Sequence, residues 1–160
     1  MEAKISFNLN GKDVSLVTDP LKRLIDVLRN DFGCTGTKEG CSEGECGACS
    51  ILLNGKMVTS CIIPIGAVDG QSVMTIEGVS QTPEGQIIVQ AFADGGAVQC
   101  GFCIPGMVIA AYNLLKDNPN PTEDEIRLGI SGNICRCTGY DLIVESIKLA
   151  AERGGALWKK

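Results

Sequence analysis

Nine cysteines and no histidine in 160 residues constrain this chain more than any other feature. Cys34, Cys41, Cys46, Cys49 and Cys61 precede residue 62, and Cys100, Cys103, Cys135 and Cys137 follow residue 99. Without histidine there is no imidazole acid–base chemistry, no Ser-His-Asp triad, no HExxH zinc site and no Rieske centre. The cysteine number is odd, and the opening MEAKISFNLNG is polar and alternating, unlike a secretory signal. Both observations argue against a disulfide framework and predict a cytoplasmic protein whose clustered thiols bind metal or do redox chemistry.

With Cys34 set aside, each half of the chain holds four cysteines. The first group reads Cys41-x4-Cys46-x2-Cys49 and then Cys61, which is the spacing of plant-type [2Fe–2S] ferredoxins. The second reads Cys100-x2-Cys103 and Cys135-x-Cys137. Two ferric ions, two sulfides and four thiolates leave a net negative charge, which backbone N–H groups must offset. Five glycines between positions 33 and 47 give the first loop the freedom to bring its amides close. That loop has almost no apolar residues from 35 to 46, so bound metal must supply its order. Two four-cysteine zinc sites would use the same pairs, although Cys135-x-Cys137 is tight for a zinc knuckle. Spacing favours iron–sulfur and leaves zinc as the alternative. Cys34 follows an apolar segment and reads as a small buried residue rather than a ligand.

Composition narrows the remaining classes. A net charge of −5 and a pI near 4.7 argue against a nucleic-acid partner. Apolar residues are 44% and aromatics 4%, so the core must be aliphatic. The uncharged stretch 95–115 is long enough to raise a membrane span, but Pro105 and four glycines interrupt it, and no span is expected.

Along the chain, strands are expected at 3–9 and 12–17, joined by Asn10-Gly11, and at 50–53 and 56–60, joined by Asn54-Gly55. A short strand follows at 72–76. Between the hairpins, Asp19 and Pro20 start a helix that carries Leu21, Leu24, Ile25 and Leu28 on one face. The segment GVSQTPEG, 78–85, has linker composition and marks a boundary between units 1–77 and 86–160. Four short helices are expected beyond it. Thr82-Pro83 starts the first and Pro105 opens the second. A Thr122–Glu125 capping box starts the third and Asp141 caps the fourth. The cysteines of this half fall at helix junctions.

Three segments carry a family pattern: GTKEGCSEGECGACSILLNGKMVTSC at 36–61, QCGFCIPGM at 99–107 and GNICRCTGY at 132–140. They resemble the iron–sulfur small subunit of the molybdenum hydroxylases, the family of xanthine dehydrogenase, aldehyde oxidoreductase and carbon monoxide dehydrogenase. The resemblance runs from about residue 4 to about residue 151. It implies an α+β chain with an N-terminal β-grasp, plant-ferredoxin-like domain and a C-terminal four-helix-bundle domain, each with one [2Fe–2S] cluster. It assigns Cys41, Cys46, Cys49 and Cys61 to the first cluster and Cys100, Cys103, Cys135 and Cys137 to the second. It also brings Gln99 and Cys137 to the pterin of a molybdopterin cofactor held by a partner.

The implied partners are a large molybdenum subunit and a medium FAD subunit, in a higher oligomer of the heterotrimer. Electrons would run from substrate to molybdenum, then through the C-terminal and N-terminal clusters to FAD. Two positions depart from the family pattern: Cys34 stands where an aliphatic residue is common, and Ile104 where threonine is common. A free-standing two-cluster ferredoxin is the alternative function, and a zinc-stabilised adaptor a further one. The uncharged 95–115 surface favours a permanent interface over the first of these.

Overall fold

The computed structural model describes Glu2 to Trp158; Met1, Lys159 and Lys160, the outermost residues of the two expected units, lie outside the described residues. Strands β1 (Ala3–Leu9) and β2 (Lys12–Thr18) form an antiparallel hairpin, as do β3 (Ser50–Leu53) and β4 (Lys56–Thr59). Both turns are Asn-Gly with positive φ at each residue: Asn10 52° and Gly11 83°, Asn54 50° and Gly55 80°. That geometry matches the right-handed twist of the flanking strands. Strand β5 (Ser72–Met74) lies between the hairpins, parallel to β1 and antiparallel to β3, giving the order β2-β1-β5-β3-β4.

The helix expected from Asp19 and Pro20 begins later. Residues 20–24 spend their backbone groups on the segment 63–66: Leu24 N–H donates to Ile63, Ile65 N–H to Lys22 and Gly66 N–H to Pro20. Helix α1 therefore starts at Leu24 (Leu24–Asp26) and continues as a π-turn over Val27–Asp31. Leu24, Ile25 and Leu28 are buried as expected, but Leu21 is 78% exposed. Asp19 accepts from Leu21 N–H in a local turn instead of capping a helix.

Helices α2 (Ile76–Val79), α3 (Pro83–Asp94), α4 (Ile104–Asp117), α5 (Glu123–Gly129) and α6 (Asp141–Gly154) follow the sheet. Part of the 78–85 segment is therefore helical. The Thr122–Glu125 capping box forms in full. Asp141 is the first residue of α6 rather than its cap, and its carboxylate pairs with Arg127. None of these helices is long and apolar enough to cross a membrane.

Strand β3 is covered on both faces, which joins the two halves of the chain. Ile51 packs with Ile5, Phe7, Leu24 and Leu28, whereas its neighbour Leu52 packs into the helical core with Val108, Ile109 and Ile147. Alternation along one strand thus feeds two aliphatic cores. Cys34 is buried in the first of them, 7% exposed, away from the other cysteines. Burial pushes its thiol pKa up, with a smaller contribution from Glu77.

The far end of α6 is fixed by Trp158, which is 2% exposed and donates its indole N–H to Ala150 O. A Cβ on Gly154 would overlap the indole. Gly154→Ala is therefore expected to expel the chain's one tryptophan and cost about 2–3 kcal/mol. Its fluorescence should shift to the red; an unshifted spectrum with an unchanged melting midpoint would contradict this packing.

Candidate metal centres

The first cysteine group lies on the loop between α1 and β3 and on the turn after β4. The loop curls through positive φ at Ser42, Gly44 and Gly47, which turns its amides inward. The Cys41 sulfur accepts N–H bonds from Glu43 at 3.4 Å, Glu45 at 3.3 Å and Cys46 at 3.4 Å. Those donors bring the Cys41 pKa down to about 7. Cys49 and Cys61 are each 2% exposed and pack together with Ile25. Burial first, then the neighbouring Cys49, pushes Cys61 up to about 11, and Cys41 adds to the effect. A Cβ at Gly40 would stand 2.8 Å from the Cys46 sulfur, so only glycine leaves that face of the thiol clear.

The second group lies on two loops that feed the N-termini of the helices α4 and α6. Their positive dipole ends favour thiolate charge. The sulfurs of Cys100 and Cys137 are 3.6 Å apart, both on exposed residues. A tetrahedral metal with bonds near 2.3 Å sets an S···S edge of about 3.8 Å, so this pair matches two ligands of one ion. Cys103 and Cys135 form the inner pair. Burial, then Cys135, pushes Cys103 up to about 12. Burial also raises Cys135, but the Thr138 hydroxyl, which donates to its sulfur at 3.1 Å, and nearby backbone donors bring it to about 7. Cys135 N–H is in turn held by Tyr140 Oη at 2.9 Å.

The eight cysteines thus fall into two groups, with Cys49 packed on Cys61 in the first and Cys100 against Cys137 in the second. Among the described residues no three His, Cys, Asp or Glu side chains converge as the ligands of a single ion would. Two thiolates per metal is the stoichiometry of a [2Fe–2S] rhomb, and the all-sulfur donor set with convergent N–H groups fits that cluster. Gln99 is exposed beside Cys100, and Val98, Phe102 and Ile134 are about half exposed near the same rim.

Motif spacing did not reveal the join between the two loops. Ile134 N–H donates to Cys46 O at 2.9 Å, linking the residue before Cys135 to a cysteine of the first group. Asn133, 3% exposed, donates its side-chain N–H to Gly47 O at 3.0 Å and to Ser50 Oγ at 3.4 Å. Its position inside GNICRCTGY was the available signal, but nothing in the sequence names its partner.

Comparison with known proteins agrees with this geometry. A family model described as a 2Fe-2S iron-sulfur cluster binding domain matches residues 7–73, and one described as a [2Fe-2S] binding domain matches residues 75–148. The chain is 51% identical over 149 residues to the nicotinate dehydrogenase small FeS subunit of Eubacterium barkeri, covering 93% of this chain and 95% of that protein. It superposes on a chain of quinoline 2-oxidoreductase from Pseudomonas putida 86 with a TM-score of 0.90 and 41% identity, covering 96% and 98% of the two chains. It also matches the aldehyde oxidoreductase of Desulfovibrio desulfuricans at a TM-score of 0.88 and 38% identity, covering 94% of this chain but 17% of that one. With two [2Fe–2S]-binding domains in that order, the chain belongs to the family of small iron–sulfur subunits of the molybdenum hydroxylases.

Proposed function

We propose that Cys41, Cys46, Cys49 and Cys61 hold one [2Fe–2S] cluster and Cys100, Cys103, Cys135 and Cys137 the other. The observation that carries this is the packing of Cys49 on Cys61 and the 3.6 Å approach of Cys100 to Cys137, on two loops joined where Ile134 N–H meets Cys46 O. When bound, each cluster takes up and returns one electron, so the chain relays electrons from a molybdopterin-bearing large subunit toward a medium FAD subunit. The chain's own residues hold the thiols in position, aim N–H groups at Cys41 and keep water from Cys49 and Cys61.

In this reading residues 1–77 form a β-grasp, plant-ferredoxin-like unit and 86–160 a four-helix bundle, with 78–85 between them. The strand order supports the first, and the packing of α3 and α4 on one another and of α6 on α3 supports the second. Gln99 and Cys137 face the pterin of the large subunit. The half-exposed Val98, Phe102 and Ile134 around them supply the apolar centre that such docking needs. The complex works in the cytoplasm as a higher oligomer of the heterotrimer. Nicotinate and quinoline, named in two of the relatives, are nitrogen heteroaromatics, and such a ring is the substrate class we assign to the complex.

The holoprotein is expected to carry about four iron and four acid-labile sulfide per chain, to be red-brown, and to give two paramagnetic signals when reduced. Stoichiometric zinc in a colourless protein would overturn the assignment. Gel filtration of the native protein separates a subunit from a free ferredoxin: the first elutes with larger chains, the second alone.

A further inference from the structure

We propose that Asn133 is a positioning residue for electron transfer between the two clusters. The inference rests on the ligand assignment above. Among the described residues, the hydrogen bonds that join the two cysteine loops run through or beside this side chain. Its carboxamide N–H binds Gly47 O at 3.0 Å and Ser50 Oγ at 3.4 Å. The orientation is fixed by chemistry, since Gly47 O only accepts. Gly47 O also receives Ser50 Oγ at 2.7 Å and Ser50 N–H at 3.1 Å, which locks the Gly47 peptide.

A neighbouring residue on each loop then makes the link that matters: Cys46 O, one residue before Gly47, accepts from Ile134 N–H, one residue after Asn133, at 2.9 Å. The two cysteine-bearing backbones are thereby joined by one backbone-to-backbone hydrogen bond, from Cys46 through its own carbonyl to Ile134 and on to Cys135. With both clusters bound, one electron would pass between them with no bond made or broken and no proton moved. The route depends on how closely the two loops are held.

The seam is packed so that it cannot slide. A Cβ on Gly47 would meet Gly132 O and stand 2.6 Å from Asn133 Nδ2. A Cβ on Gly106, in α4, would meet Gly47 O and stand 3.1 Å from Asn133 Nδ2. Asn133 therefore sits in a slot between the Gly47 and Gly106 backbones, which a shorter side chain would leave unfilled. Among the described residues Asn133 Oδ1 accepts no hydrogen bond, so the contacts of the carboxamide are made by its donor side.

The test uses the full chain with both clusters loaded, in Asn133→Ala and Asn133→Asp variants. The second keeps the shape and removes the donor. Asn113→Ala is the control: it breaks another hydrogen bond between the halves, Met57 N–H to Asn113 Oδ1 at 3.1 Å, away from both cysteine loops. One electron is injected by pulse radiolysis and its equilibration between the clusters is followed optically. Iron content and both reduction potentials are measured alongside, with amide exchange at Ile134.

Both Asn133 variants should keep full iron and two signals, exchange Ile134 faster and equilibrate at least roughly tenfold more slowly, as expected for a displaced transfer geometry. Asn113→Ala should equilibrate at the wild-type rate. Wild-type equilibration in the Asn133 variants despite faster Ile134 exchange would overturn the proposal, as would equal slowing in Asn113→Ala. Loss of iron from both Asn133 variants would make the residue a cluster-retention element and overturn it equally. Failure of the wild-type protein to show two clusters would instead refute the ligand assignment.

Discussion

Gly47→Ala is expected to destabilise the chain by more than about 3 kcal/mol and to lower its melting midpoint by roughly 10 °C. Two costs add. Gly47 has φ +69°, where a side chain costs on the order of 1–2 kcal/mol. The added methyl also meets Gly132 O and the buried Asn133 carboxamide, neither of which has room to withdraw. Separating those groups breaks the bond from Ile134 N–H to Cys46 O and exposes the inner face of both cysteine loops. Gly55→Ala isolates the first cost, because Gly55 has φ +80° in the β3–β4 turn with open space where its Cβ would be. It should cost only about 1 kcal/mol. Equal midpoints for the two variants in thermal melts of the holoprotein would show that the seam between the loops bears no load.

The same seam marks where reading the sequence stops. Both hairpins were legible, because Asn-Gly at residues 10–11 and 54–55 specifies a turn by local backbone preference alone. The eight clustered cysteines were legible because thiols are scarce and their spacing reports which loops carry them. Helix α1 was legible as an apolar face but not at its start. Its first turn is lost to hydrogen bonds with residues 63–66, partners some forty positions away. The role of Leu52 was invisible for a related reason. Alternation along β3 shows that Ile51 and Leu52 face opposite ways, but not that the helices of the second half cover the second face. A linker-like composition at 78–85 suggests loosely joined halves, yet Leu52, Asn133 and Gly47 tie them together through side chains and backbone. Such long-range complementarity has no periodicity to read.

On the proposed assignment, replacing one cysteine of each group should remove one cluster and leave the other, so iron should fall from about four to about two per chain in both Cys61→Ala and Cys137→Ala. The two losses should differ in their structural consequence. Cys61 is buried against Cys49 and Ile25, and the loop from Thr35 to Cys46 buries little besides Thr37. Without metal that loop has no enthalpy to offset its ordering, so Cys61→Ala should raise amide exchange throughout residues 35–46. Cys137 is exposed, and the helices beside it keep a core of their own, with Met107, Ile109, Ile143 and Ile147 fully buried. Cys137→Ala should therefore lose its signal while α4 and α6 keep their exchange protection. Because the first group rests on its own core around Ile51 and Leu24, its signal should survive in Cys137→Ala with an unaltered line shape apart from lost coupling to the second cluster. Electron paramagnetic resonance of the reduced variants decides the matter: disappearance of both signals in Cys137→Ala would mean that the eight cysteines do not divide four and four.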